Sequence, residues 1–154
     1  MLKPAAKILV LIVALTVLTG CARFRPGRFE PPRKVRPIER TLLTTGYCKC
    51  KKCTGWRRTW YGKPVIASGP HKGQRKRVGI TASGTKAKKG TIAADTSRYP
   101  FGTIMYVPGY GHGRVEDRGG VIKGHHVDLF FKRHKQALHW GTQHKRVKIW
   151  LRSK

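Results

Sequence analysis

The sequence predicts a mainly β domain folded as a small barrel. Short β-branched and apolar runs recur from Thr41 onward, and glycine and proline clusters such as "PGYGHG" and "DRGG" separate them. Only one stretch has helical character, and many short strands in a chain of this size suit closure into a barrel.

The amino terminus is unlike the rest. In "MLKPAAKILVLIVALTVLTGC", Lys3 and Lys7 precede an apolar run from Ile8 to Leu18. That run is too short for a comfortable membrane span and has the flanks of an export signal. Leu18-Thr19-Gly20-Cys21 resembles the bacterial lipobox, which implies a signal peptide over 1–20 and acylation of Cys21 as a lipid anchor. Ala22 is compatible with sorting to the outer membrane, on the face toward the periplasm. Residues 21–40 carry prolines and arginines that oppose sheet pairing, so an extended tether is expected there, followed by a domain over 41–154.

Expected strands are Thr41–Tyr47, Val78–Ser83, Thr91–Ala94, Thr103–Val107, Gly113–Asp117, His126–Phe131 and Arg146–Leu151. The helical stretch is "KRHKQALHW", Lys132 to Trp140, closed by Gly141 at a left-handed cap and turning Ala137 and Leu138 to the core. Alternation in "HHVDLFF" sets Val127, Leu129 and Phe131 on one face and His126, Asp128 and Phe130 on the other. If the apolar face fills the barrel, Asp128 projects into whatever groove lies outside.

Charge frames the chemistry. The chain holds 34 Lys and Arg against 6 Asp and Glu, a formal charge of +28 over 154 residues, so it must meet anionic partners. In an exported protein those are envelope polymers and lipid phosphates, and no nucleic-acid partner is expected. The acids are Glu30, Glu39, Asp95, Glu116, Asp117 and Asp128, which leaves few carboxylates for any acid chemistry.

With Cys21 given to lipid, Cys48, Cys50 and Cys53 remain in "YCKCKKCTGW". An oxidising compartment favours one disulfide, with Cys48–Cys53 or Cys50–Cys53 having more backbone slack than Cys48–Cys50. The rival reading is zinc completed by histidine; no second cysteine pair exists, so neither metal nor cofactor is assigned.

The motifs "TTGYC", "GITASGT", "TIAADTSRYPFGTIMYVPGYG", "VEDRGGVIKG" and "VDLFF", with "ALHWG" and "VKIW" after them, occur in one order between Thr41 and Trp150. In this the chain resembles the three-aspartate (3D) domain family, related to the catalytic barrel of membrane-bound lytic transglycosylase A. The resemblance implies a six-stranded double-psi β-barrel with one or two short helices. It also implies that Asp128 is the catalytic acid/base and that Asp117 and Asp95 support the site. Thr81, Ser83, Gly119, Gly120 and Lys123 would then border the groove for peptidoglycan glycan strands.

A lytic transglycosylase can work with a single carboxyl group, which suits so few acids. That carboxyl must be protonated near neutral pH, whereas an ordinary aspartate titrates near about 3.9 and nearby cations lower it further. Burial and repulsion from Asp117 oppose the cations. The alternative expectation is a non-catalytic peptidoglycan-binding module. Two features depart from the family: a basic, glycine-rich insertion from Trp56 to Arg77, and no counterpart of the large second domain that grips sugar in lytic transglycosylase A.

Overall fold

The computed structural model describes residues 29–32 and 34–152. Its strands are β1 (Ile38–Tyr47), β2 (Trp56–Arg58), β3 (Pro64–Ile66), β4 (Thr91–Ala94), β5 (Ile104–Val107), β6 (Gly111–Asp117), β7 (His126–Phe130) and β8 (Gln143–Trp150). Two short helices are α1 (Lys51–Thr54) and α2 (His134–Trp140). The signal segment and Cys21 lie outside the described residues. Among those described, no helix is long and apolar enough to cross a membrane.

Six strands close into a barrel in the order β1-β7-β4-β6-β5-β8. Closure rests on β1, which pairs parallel with β7 on one side and antiparallel with β8 on the other. The sheet is mixed, since β4 runs parallel to β6 and antiparallel to β7. The barrel interior holds Leu42, Ile92, Met105, Val107, Val115, Val127, Leu129, Val147 and Ile149, all essentially without solvent exposure. Each such side chain contributes on the order of 1.5–3 kcal/mol through removal from water. Alternation explains the pattern, because every second residue of a strand points inward.

Among the described residues, buried polar groups are tied to the barrel by hydrogen bonds, except Thr103 Oγ1, which is buried without a partner. The Tyr110 hydroxyl accepts from the Gly90 backbone N–H at 2.9 Å and donates to the Phe130 carbonyl at 2.9 Å, joining the turn before β4 to the end of β7. The Trp140 Nε1–H donates to Thr44 Oγ1 at 3.3 Å, and Thr44 Oγ1 donates to the Gln143 carbonyl at 2.9 Å.

The structure departs from the expected elements in several places. Strands β6 and β8 start early, at Gly111 and Gln143, α2 starts late, at His134, and Gly141 has φ 63° and ψ −142°, outside the left-handed cap conformation. The barrel begins three residues early, at Ile38, because Glu39 pairs with Arg146 and the Trp150 Nε1–H reaches the Val35 carbonyl. Val78–Ser83 is not a strand: Ile80 makes one isolated bridge to Lys86, and Gly79 and Gly84 adopt φ of 77° and 83°. The basic insertion folds as the β2–β3 hairpin, with Trp60 96% exposed near its tip. In α2 only Ala137 is buried, while Leu138 is 66% exposed. One step along a helix rotates the side chain by about 100°, which here turns Leu138 away from the narrow face that buries Ala137.

Helix α2 lies directly on β1, and Gly46 permits that approach. A Cβ there would stand 2.8 Å from the Ala137 carbonyl oxygen and 3.1 Å from its Cα. Gly46→Ala is expected to lower stability by about 1–3 kcal/mol through overpacking. Thermal denaturation should show a reduced Tm, and an unchanged Tm would mean that α2 does not press on this position.

Candidate functional site

The site forms on the outer face of the barrel where β1, β7, β4 and β6 lie side by side. Register makes a row across them: Thr45 partners Asp128, Asp128 partners Ala93, and Ala93 partners Asp117. The two aspartates therefore flank β4, two strand spacings or about 10 Å apart across the sheet. Val127 and Leu129 point into the barrel and Asp128 points away from it, as the alternation predicts.

A bulge decides which acid joins the row. The β4–β6 register passes from Ile92–Val115 to Ala93–Asp117, skipping Glu116. Bulges place two residues opposite one and re-aim the side chains that follow. Glu116 is consequently buried, accepting from Thr91 Oγ1 at 2.9 Å and from Arg114 Nε at 3.1 Å. Its place in the sequence beside Asp117 carries no sign of this structural role.

Asp128 is partly buried and accepts a 2.8 Å hydrogen bond from Thr45 Oγ1. Thr45 Oγ1 also lies 2.9 Å from His126 Nε2. Because the threonine hydroxyl has one proton and gives it to Asp128, His126 Nε2 donates to Thr45 in that state. Burial lowers the His126 pKa and so favours the neutral ring, whose Nε2-protonated tautomer makes this bond. Burial also pushes Asp128 up to about 6, and the charge of Asp117 adds to the rise while the Thr45 bond opposes it. Local desolvation thus overcomes the depression expected from so cationic a chain.

Asp117 has a different job. It accepts from the Tyr47 hydroxyl at 3.0 Å, the Ala82 N–H at 3.0 Å and the Arg118 N–H at 2.9 Å. Three donors fix the carboxylate in place and tie the Thr81–Thr85 turn to the barrel. Tyr47 is buried edge-on against Phe130, with ring centroids 5.4 Å apart, and burial followed by the Asp117 charge drives its own pKa upward. Within the turn, Thr81 Oγ1 lies 3.1 Å from Ser83 Oγ and 2.9 Å from Thr85 Oγ1, so Thr81 is a buried organiser. Ser83 is exposed, and its N–H donates to the Glu116 carbonyl at 3.0 Å.

Asp95 stands apart from Asp128. Its carboxylate accepts from the Ser97 hydroxyl at 2.6 Å, the Ser97 N–H at 3.1 Å and the Gly124 N–H at 2.9 Å. The Ser97 hydroxyl, then the Gly124 N–H, bring its pKa down to about 2. This is an Asx-type turn that also pins the Gly119–Gly124 loop. Asp95, Gly119, Gly120 and Lys123 line a shallow cleft of about 330 Å³ with Arg118 and Ile122. The expected site residues therefore divide into an Asp128–Asp117 centre with the Thr81 turn, and a neighbouring cationic cleft under Asp95.

Cys48, Cys50 and Cys53 are free thiols, with Cys48 and Cys53 sulfurs 3.8 Å apart, which differs from the expected disulfide. They converge on His134, a residue whose distance in sequence hid it. The other contributors that the sequence did not single out are Thr45 and Tyr47, which lie two residues apart in "TTGYC", and His126, which shares the face of Asp128.

Residues 90–152 match the family model of the 3D domain. This segment carries all three aspartates and leaves out β1, which supplies Thr45 and Tyr47. The chain is 37% identical over 75 residues to the cell wall-binding protein YocH of Bacillus subtilis, covering 46% of this chain and 26% of that protein. It thus spans about a quarter of that relative's length. Among solved structures, Escherichia coli MltA with bound chitohexaose aligns with a TM-score of 0.39 at 23% identity, covering 47% of this chain and 28% of that one. A second MltA structure gives a TM-score of 0.40 at 22% identity, covering 51% and 30%.

The environment of Asp128 makes a spectroscopic prediction. Carbon-detected NMR titration should place its pKa near 6. Thr45→Val should raise it, by removing a bond to the charged form, and Asp117→Asn should lower it, by removing a like charge. An Asp128 that titrates near about 3.9 in the unsubstituted protein would contradict this electrostatic account.

Proposed function

We propose that this chain is an envelope lipoprotein, anchored through Cys21 in the outer membrane, that cleaves peptidoglycan glycan strands by lytic transglycosylation with Asp128 as its single acid/base. The observation that carries the reading is the half-buried Asp128, set apart from the hydrophobic interior and shifted to about 6. A general acid works best with a pKa near the operating pH, and this one lies close to it.

In that reaction protonated Asp128 gives its proton to the oxygen bridging C1 of N-acetylmuramic acid and C4 of N-acetylglucosamine. The C1–O bond breaks, and the N-acetylglucosamine leaves with its 4-hydroxyl restored. The carboxylate then takes the proton of the muramic C6 hydroxyl as O6 bonds to C1, closing a 1,6-anhydro ring and returning Asp128 to its acid form. Water takes no part, so the second carboxylate of an ordinary glycosidase is not required. Asp117, held by three donors, acts as a fixed negative charge and an anchor for Tyr47 and the Thr81 turn. Lys123 and Arg118, in the adjoining cleft, suit the carboxylates of the peptidoglycan stems.

A second reading is a cell wall-binding module without catalysis. It is favoured by the matched relative, a cell wall-binding protein that shares this region, and by the basic β2–β3 hairpin with exposed Trp60 and Tyr61. Such a module needs the cationic surface and makes no use of the Asp128 proton.

Purified sacculi separate the readings. The unsubstituted protein should release 1,6-anhydromuropeptides, detected by mass spectrometry, and Asp128→Asn should reduce release at least about 100-fold. Activity should be greatest below pH 6 and fall about tenfold per pH unit above it, because only protonated Asp128 can start the reaction. Salt-sensitive retention on sacculi with no release by either protein would establish the binding module.

A further inference from the structure

Cys48 directly follows β1, Cys50 and Cys53 bracket the first turn of α1, and His134 opens α2. Separated by more than eighty positions, the cysteines and the histidine nevertheless share one point: their ligand atoms all lie within 4.8 Å of one another. His134 Nδ1 is 3.3 Å from Cys53 Sγ, 3.5 Å from Cys50 Sγ and 3.9 Å from Cys48 Sγ. Cys48 Sγ is 3.8 Å from Cys53 Sγ. Tetrahedral zinc, with Zn–S near about 2.3 Å and Zn–N near about 2.0 Å, separates sulfur pairs by about 3.8 Å and nitrogen–sulfur pairs by about 3.6 Å.

We propose that Cys48, Cys50, Cys53 and His134 form a structural Cys3His zinc site. A disulfide would draw two sulfurs to about 2.05 Å, strand the third thiol and leave His134 Nδ1 aimed at nothing that needs it. Zinc uses all four groups. Four protein ligands close the coordination sphere and leave no position for water, which makes the site structural and not catalytic. Binding displaces three protons, and the complex of a dication, three thiolates and a neutral imidazole carries one negative charge. Lys49 and Lys132 line the cleft beside the cysteines, and Lys51 and Lys52 lie between Cys50 and Cys53, so cations surround that charge.

The location gives the metal a purpose in the fold. Helix α1 has four residues and buries none of them, so it has almost no core of its own. The Phe131 N–H donates to the Tyr47 carbonyl at 2.7 Å where β1 and β7 leave the barrel. Zinc ties together the two segments that emerge there, just beyond the strands that carry Thr45 and Asp128. The site is independent of the glycan reading, since a chain that neither binds nor cleaves peptidoglycan would still hold the metal.

The test uses full-length protein purified in detergent without chelator or affinity-resin metal. Elemental mass spectrometry should find zinc in one-to-one ratio with the chain, and cobalt substitution should give thiolate-to-cobalt charge-transfer bands and the visible spectrum of a tetrahedral site. Cys53→Ser and His134→Ala should each weaken zinc affinity at least about 100-fold, more than loss of an outer-sphere partner does. Should either variant fail to fold, the unsubstituted protein remains decisive: Cys48, Cys50 and Cys53 should resist alkylation until a strong chelator is added, which should also lower Tm. Metal-free protein with a disulfide among these cysteines overturns the proposal. So does zinc that is retained unchanged in both variants, or alkylation that ignores the chelator.

Discussion

The parallel pairing of β1 with β7 is the contact on which the rest of the molecule depends. It is the join that lets a strand from one end of the domain close a barrel built from the other. The same register sets Thr45 beside Asp128 and brings Tyr47 within reach of Asp117. Parallel pairs cannot be made by a hairpin and form only after a long stretch of intervening chain has been accommodated. Here that stretch includes the β2–β3 hairpin, the Thr81 turn and most of the barrel, so the site can assemble only once the domain is complete.

Electrostatics near Asp128 shows how local terms prevail over global ones. A formal charge of +28 acts across water and salt, which screen it within about a nanometre. Burial and a like charge two strands away act over short distances through protein. The local terms win, and the carboxyl moves up to about 6. The three aspartates of the matched domain accordingly sit in different surroundings: Asp128 is raised by burial, Asp117 is bonded to Tyr47 and two backbone donors, and Asp95 is brought down to about 2 within a turn.

Where sequence reasoning went astray, the causes were specific. Val78–Ser83 has strand-like composition, but Gly79 and Gly84 sit at positive φ and bend it into the turn that Asp117 holds. Leu138 looked like a core residue by hydrophobicity alone, whereas the contact with Gly46 admits only Ala137. The cysteines allow a disulfide or a zinc set completed by histidine, and His134 could not be picked out among the histidines because it lies far along the chain. Conversely, the face of Asp128 was legible because strand alternation is a property of the backbone and does not depend on which strands become neighbours.

The sequence by itself determined the β character, most strand positions, the inward and outward faces of β7, the helix before Gly141 and the scarcity of acids that singles out three aspartates. These follow from backbone periodicity, turn chemistry and composition, which are local quantities. Tertiary structure alone decided that a bulge selects Asp117 over Glu116, that Thr45 and His126 attend Asp128, and that His134 meets three cysteines. Each of those depends on register between strands distant in sequence, and register is set by how the whole barrel closes.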